Sequence, residues 1–108
     1  MTKKSRNNEI HELLEGAKIH LNEIKKFKLN EIDAKLKTLK EKDQLSKILD
    51  QLQTEFNKLE YDILEDENKR QALDLNEKED DEFNNIMEER REFLSRLEVI
   101  IENAKNKL

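Results

Sequence analysis

The residues that interrupt regular secondary structure are almost missing from this sequence. The chain of 108 residues has no proline and a single glycine, Gly16, and these two residue types are the strongest breakers of helices and strands. Most other positions carry Leu, Lys, Glu, Gln and similar straight-chain residues, which lose little rotamer freedom in a helix. The composition therefore predicts long helices, with Gly16 either at a close helix contact or at a position that simply tolerates it.

Cysteine and long apolar runs are also absent. Without cysteine there is no disulfide framework and no thiolate metal site. The longest apolar run near the start is Leu13-Leu14, which is far too short for a signal peptide or a transmembrane span. We expect an intracellular protein, cytoplasmic or, in a eukaryote, nuclear.

Charge is plentiful but unevenly distributed. Charged residues make up 44% of the chain and hydrophobic residues 34%, with a net charge of −5. Residues 25–42 carry seven lysines against three acids, whereas residues 65–82 carry nine acids against three bases. A compact globule usually has more apolar residues, so the composition favours thin helices that each present one apolar stripe.

Apolar residues recur at helical spacing along nearly the whole chain. Steps of three and four residues place them on one face of a helix, because each residue rotates by about 100°. The clearest runs are Leu45, Ile48, Leu49, Leu52, Phe56, Leu59 and Ile63, and then Phe83, Ile86, Met87, Phe93, Leu94, Leu97, Ile100 and Ile101. This pattern predicts an all-α fold.

Two short segments carry the chemistry of helix boundaries. The stripe jumps phase between Leu39 and Leu45, and Asp43 is a candidate N-cap there. Asn76 followed by Glu79 resembles a capping box. These boundaries predict helices over residues 8–41, 44–73 and 77–107.

Three helices of nearly equal length predict an antiparallel three-helix bundle. It would form a single domain over residues 8–108, preceded by a basic flexible N-terminus over residues 1–7. The alternative is an extended coiled coil, or a helical hairpin that dimerises, since neither predicted turn contains glycine or proline.

The sequence offers no set of residues for catalysis, metal binding or cofactor binding. His11 and His20 are nine residues apart, which places them on opposite faces of one helix, where they cannot share a metal ion. We expect both histidines to face solvent. We therefore expect no catalytic, metal or cofactor site, and we expect that the protein is not an enzyme.

Several apolar residues are candidates for contact with a partner protein. Ile19, Tyr61 and Val99 lie off the stripes. Arg90 lies on a stripe, where its head either reaches outward to solvent or pairs with an acid of a partner helix. The full set of predicted partner contacts is Ile19, Tyr61, Phe83, Met87, Arg90, Phe93 and Val99.

These features predict a structural protein that binds other helices, such as a coiled-coil adaptor or an assembly subunit of a larger complex. The partner would be another protein or a second copy of the chain. The alternative is a small acidic inhibitor or chaperone that occupies a partner's surface. The net negative charge and the scarcity of aromatic residues disfavour direct binding of nucleic acid.

Overall fold

The computed structural model describes residues 2–108, with side chains described from residue 8 onward. The described chain forms four helices and no strand. They are α1 (Thr2–Lys25), α2 (Leu29–Thr38), α3 (Lys42–Gln71) and α4 (Glu77–Lys105).

The helices form the predicted antiparallel three-helix bundle, with α1 and α2 together making up its first long segment. His20 of α1 contacts Asp62 of α3. Glu9, nearer the start of α1, shares a surface pocket with Leu73, which lies just beyond the end of α3. The two helices therefore run in opposite directions. Lys18 contacts Glu82 of α4, and Phe27, further along the chain, packs its ring against that of Phe93, further along α4. The helices α1 and α4 therefore run in the same direction. The bundle measures 60 × 19 × 18 Å.

The prediction of an unbroken first helix over residues 8–41 was wrong, because the helix is interrupted between Lys25 and Leu29. In a continuous helix, the apolar face of residues 29–39 would be rotated by roughly 70° from that of α1. The interruption restores the alignment, so that Leu29 and Leu36 are buried. Residues 2–7, expected to precede the first helix, belong to α1, and the flexibility expected of them stays a prediction.

The two predicted caps had different outcomes. The capping box at Asn76 is confirmed: the Asn76 side chain accepts from the Glu79 backbone N–H at 2.8 Å, and the Glu79 side chain accepts from the Asn76 backbone N–H at 3.0 Å. Asp43 is not a cap, because α3 already begins at Lys42 and its N-cap is Glu41. The turn over residues 72–76 separates α3 from α4, so they do not form one long rod.

The core runs along the axis of the bundle and draws on all four helices. Its largest fully buried side chains are Phe83, Leu36 and Met87. The remaining buried apolar residues are Ile10, Leu13, Leu14, Ala17, Leu21, Ile24, Leu29, Leu45, Leu49, Leu52, Leu59, Ile63, Ile86, Leu97, Ile100, Ile101 and Ala104. The stripes identified in the sequence are thus buried against each other within one chain.

Candidate functional site

One charged pair lies inside this apolar core. Arg90 of α4 and Asp66 of α3 are only 2% and 6% exposed, and Arg90 Nη1 donates to Asp66 Oδ2 at 2.6 Å. Arg90 Nη1 also lies 3.3 Å from the sulfur of Met87. The expectation that the Arg90 head reaches solvent was wrong, because an acid at the same level of the neighbouring helix holds the guanidinium inside.

His20 extends this buried pair towards the surface. Its Nδ1 lies 3.4 Å from Arg90 Nη2 and 3.4 Å from Asp62 Oδ2. The His20 side chain is 32% exposed, so the expectation of a solvent-facing residue was wrong for His20, whereas His11 is exposed as expected. A chain of polar side chains therefore joins α4, α3 and α1 at one level of the bundle.

An open groove lies over this polar chain, between α1 and α3. It has a volume of about 350 Å³, within the range typical of ligand-binding clefts. We call it the α1–α3 groove. Its lining consists of Glu9, Glu12, Leu13, Gly16, His20, Asp62, Glu65, Asp66, Lys69, Ala72 and Leu73.

Gly16 leaves the middle of this groove empty. A methyl group added at Gly16 would meet no atom within 4 Å, so the glycine is not required for a close helix contact. Glycine inside a helix costs about 1 kcal/mol relative to alanine. The sequence thus keeps an unfavourable helical residue at a place where packing does not demand it, and the result is added depth in the groove.

The walls of the groove are acidic. Five carboxylates line it, and Lys69 is the one lysine or arginine among the lining residues. Lys69 is itself engaged with Glu65, at 3.3 Å, and Asp62 and Asp66 have the partners described above. Glu9 and Glu12 stand on exposed positions of α1. The groove therefore presents negative charge around its apolar residues Leu13, Ala72 and Leu73.

The other two seams of the bundle are bridged by ion pairs. Arg70 pairs with Asp80 between α3 and α4, and Arg91 of α4 pairs with Glu67 of α3. Lys18 Nζ lies 2.6 Å from Glu82 Oε1 between α1 and α4, and this hydrogen bond and attraction raise the pKa of Lys18 above its ordinary value of 10.5. The groove described here lies in the third seam, between α1 and α3, which His20 and Asp62 bridge at one end.

The structure separates the predicted partner contacts into buried and exposed groups. Phe83 and Met87 lie in the core, at 2% and 0% exposure, as does Arg90. Phe93 is half-buried, with its ring centroid 6.1 Å from that of Phe27. In this conformation these four side chains pack inside their own bundle and do not form a surface.

Ile19, Tyr61 and Val99 are exposed, at 54%, 65% and 58%. Ile19 and Tyr61 directly precede His20 and Asp62, whose side chains are in contact. They therefore lie at one level of the bundle, but neither lines the α1–α3 groove, because neighbouring residues of a helix point about 100° apart. Val99 lies on α4, well beyond that level. That any of these residues contacts a partner stays a prediction.

The described residues were also searched for a metal site and for a membrane-spanning helix. From residue 8 on, no three His, Asp or Glu side chains gather closely enough to hold a metal ion. None of the four helices combines the length and the apolar character needed to cross a bilayer.

The fold defines the chain as an all-α helical bundle protein. Comparisons with protein-family models, with curated proteins and with solved structures gave no match to this chain.

Proposed function

We propose that this protein is a helix-binding adaptor or assembly subunit, and that the α1–α3 groove is where a helix of a partner protein binds. The observation that carries the proposal is the open groove of about 350 Å³ between the antiparallel helices α1 and α3. Helices pack by placing ridges of side chains into grooves between neighbouring helices. A fourth helix laid along this seam would pack in the same way as the three already present.

The depth created by Gly16 supports this use of the groove. Side chains of a docking helix need space below the level of the flanking helices, and a hydrophobic anchor in such a space gives most of the binding energy of helix-in-groove complexes. Leu13 and Leu73 provide apolar contacts beside that space.

The experiment is to fill the groove without changing its charge. In Gly16→Leu, a leucine side chain would occupy the space over Gly16. Ala34→Leu is the matched control, since Ala34 is an exposed helical position on α2, away from the groove. Both substitutions suit a helix, so both variants are expected to fold.

A photo-crosslinking residue at position 72, on the groove wall, would first identify the partner in the native cell, and both purified proteins would then be titrated. We expect Gly16→Leu to weaken the reconstituted complex by about tenfold or more, and Ala34→Leu to leave it unchanged. Equal affinity of the wild-type protein and Gly16→Leu for the crosslinked partner would rule out the groove as the binding site.

A second candidate is a small acidic inhibitor or chaperone, and one observation favours it. The segment around the α3–α4 turn combines the acidic first turn of α4 (Glu77, Glu79 and Asp80) with three acids at residues 65–67, which precede the basic last turn of α3. Such a field accelerates association with a basic surface. An inhibitor of this kind would associate far more slowly in added salt, and Gly16→Leu would leave its binding intact.

A further inference from the structure

We infer that the segment bound in the α1–α3 groove is a basic amphipathic helix, with one apolar face and lysine or arginine on both sides of that face. This inference rests on the proposed function and specifies the chemistry of the partner. The juxtaposition that carries it is an empty apolar floor between two rows of carboxylates.

The dimensions of the groove fit about three turns of helix. It extends along α1 from Glu9 to His20 and along α3 from Leu73 to Asp62. Eleven residue steps correspond to about 16 Å of helix. A segment of this length presents apolar residues at positions i, i+3 or i+4, and i+7 along one face, which matches a narrow floor with room for few side chains.

The floor selects an apolar anchor. Leu13, Ala72 and Leu73 supply its apolar surface, and the space over Gly16 lies one turn beyond Leu13, at the level of Asp66. A polar anchor would lose hydrogen bonds to water there without an assured replacement. A leucine or isoleucine from the partner would instead bury its side chain where Gly16 leaves room.

The walls select positive charge on both flanks of that anchor. Glu9 and Glu12 stand one turn apart on the α1 wall, and Asp62 and Glu65, which also contact His20 and Lys69, stand on the α3 wall. Since five carboxylates oppose a single lysine in the lining, an acidic partner helix would be repelled. Lysine or arginine beside the anchor would pair with either wall, and such charges chiefly set partner choice.

The α2 helix of a second copy does not fit the groove. It carries Lys35 and Lys37 in its last turn, but its apolar face is already buried in its own bundle, through Leu29 and Leu36. The inferred occupant is a helix from a different protein.

The test uses three synthetic peptides of about 14 residues, each long enough to span the groove at ~1.5 Å per residue. The first has leucines on one helical face and lysines on both flanks. The second has the same leucines with glutamine in place of every lysine, and the third has the composition of the first in scrambled order. Affinities for the full chain are measured by calorimetry at low and at physiological salt.

Four proteins are compared. Wild type is set beside Gly16→Leu, beside the double variant Glu9→Gln/Glu12→Gln in the groove, and beside Glu88→Gln/Glu92→Gln, which removes two exposed acids from α4. The last pair is the control for overall charge, because it makes the same change in net charge outside the groove.

We expect the lysine-flanked peptide to bind wild type best, and Gly16→Leu to weaken it by about tenfold or more. Loss of the two groove glutamates should weaken it by about fourfold and reduce its salt dependence, while the α4 control should change affinity by less than about twofold. Equal weakening by the two charge variants would contradict the inference, because the peptide would then sense only net charge.

The glutamine-flanked peptide separates this inference from the proposed function. If it binds as tightly as the lysine-flanked one, and Gly16→Leu blocks both, then the groove binds helices but does not select basic ones. If no peptide depends on Gly16, or if the scrambled peptide binds equally well, the groove is not a helix-binding site, and the proposed function and this inference are both wrong.

Discussion

Replacing Arg90 by methionine should destabilise the bundle by about 3–5 kcal/mol, the usual cost of leaving one member of a buried ion pair without its partner. The Arg90 and Asp66 side chains are 3% and 9% exposed and 2.6 Å apart. Methionine fills much of the space of the arginine stem, so most of the loss comes from the Asp66 carboxylate left in the core. Domains of this size are stable by only about 5–15 kcal/mol, so the loss is a large fraction of the total.

Urea denaturation followed by circular dichroism measures this loss directly, and the adjacent residue supplies the control. Arg91 also pairs across the α3–α4 seam, with Glu67, but its side chain is 54% exposed. Arg91→Met should therefore cost no more than about 1 kcal/mol. The double variant Arg90→Met/Asp66→Leu removes both charges and should recover most of the stability that Arg90→Met loses.

Two outcomes would contradict this interpretation of the buried Arg90–Asp66 pair. If Arg90→Met destabilised the protein no more than Arg91→Met, the pair would not be buried in solution. If the double variant were less stable than Arg90→Met, the charge left in the core would not be the main cost. The first result would also mean that the polar chain beneath the α1–α3 groove does not form.

Three smaller perturbations test other parts of the structure. Gly16→Ala should raise the free energy of unfolding by about 1 kcal/mol in the same urea titration, because the added methyl group meets open space. Asn76→Ala should cost about 1 kcal/mol, seen as a lower urea midpoint, because it removes the acceptor of the capping box. Since Glu82 raises the pKa of Lys18, their pair stabilises the fold fully below pH 10.5 and loses this effect as pH rises through the raised pKa. Thermal melts of Glu82→Gln should therefore show a smaller loss of stability above pH 10.5 than melts of wild type.

The parts of the fold that follow from local sequence could be predicted. The start of α4 was predicted because Asn76 and Glu79 form a cap from residues three positions apart. The apolar stripes of α3 and α4 were predicted because their spacing alone determines which face is buried. Features such as these can be predicted from a single helix, because the residues that determine them all lie within that helix.

The interruption after Lys25 could not be found in this way. No glycine or proline marks it, and Phe27 follows the earlier apolar residues at an acceptable helical spacing. Its cause is that the apolar face of residues 29–39 would point in a different direction from that of α1 in a continuous helix. This difference matters only because both faces must pack against the rest of the bundle. The signal was the change of phase at Leu29, only two residues after Phe27, where a run begins whose face is rotated by roughly 70° from the earlier one.

The buried pair and the groove depend on contacts between helices. Asp66 follows Ile63 by three residues, so an acid on the apolar face of α3 was visible in the sequence. Combined with Arg90 on the face of α4 and with an antiparallel register, it would have predicted the ion pair. The groove carries no such signal, because the width of the seam between α1 and α3 depends on how the entire bundle packs.

Mapping amide chemical-shift changes on the full chain, as the lysine-flanked helical peptide is added, tests the central claim most directly. We expect the largest changes along the groove, at residues such as Glu12, Gly16 and Ala72, and we expect Gly16→Leu to abolish them. Changes centred on the outer face of α4 around Val99, or spread evenly over every acidic surface, would contradict that claim.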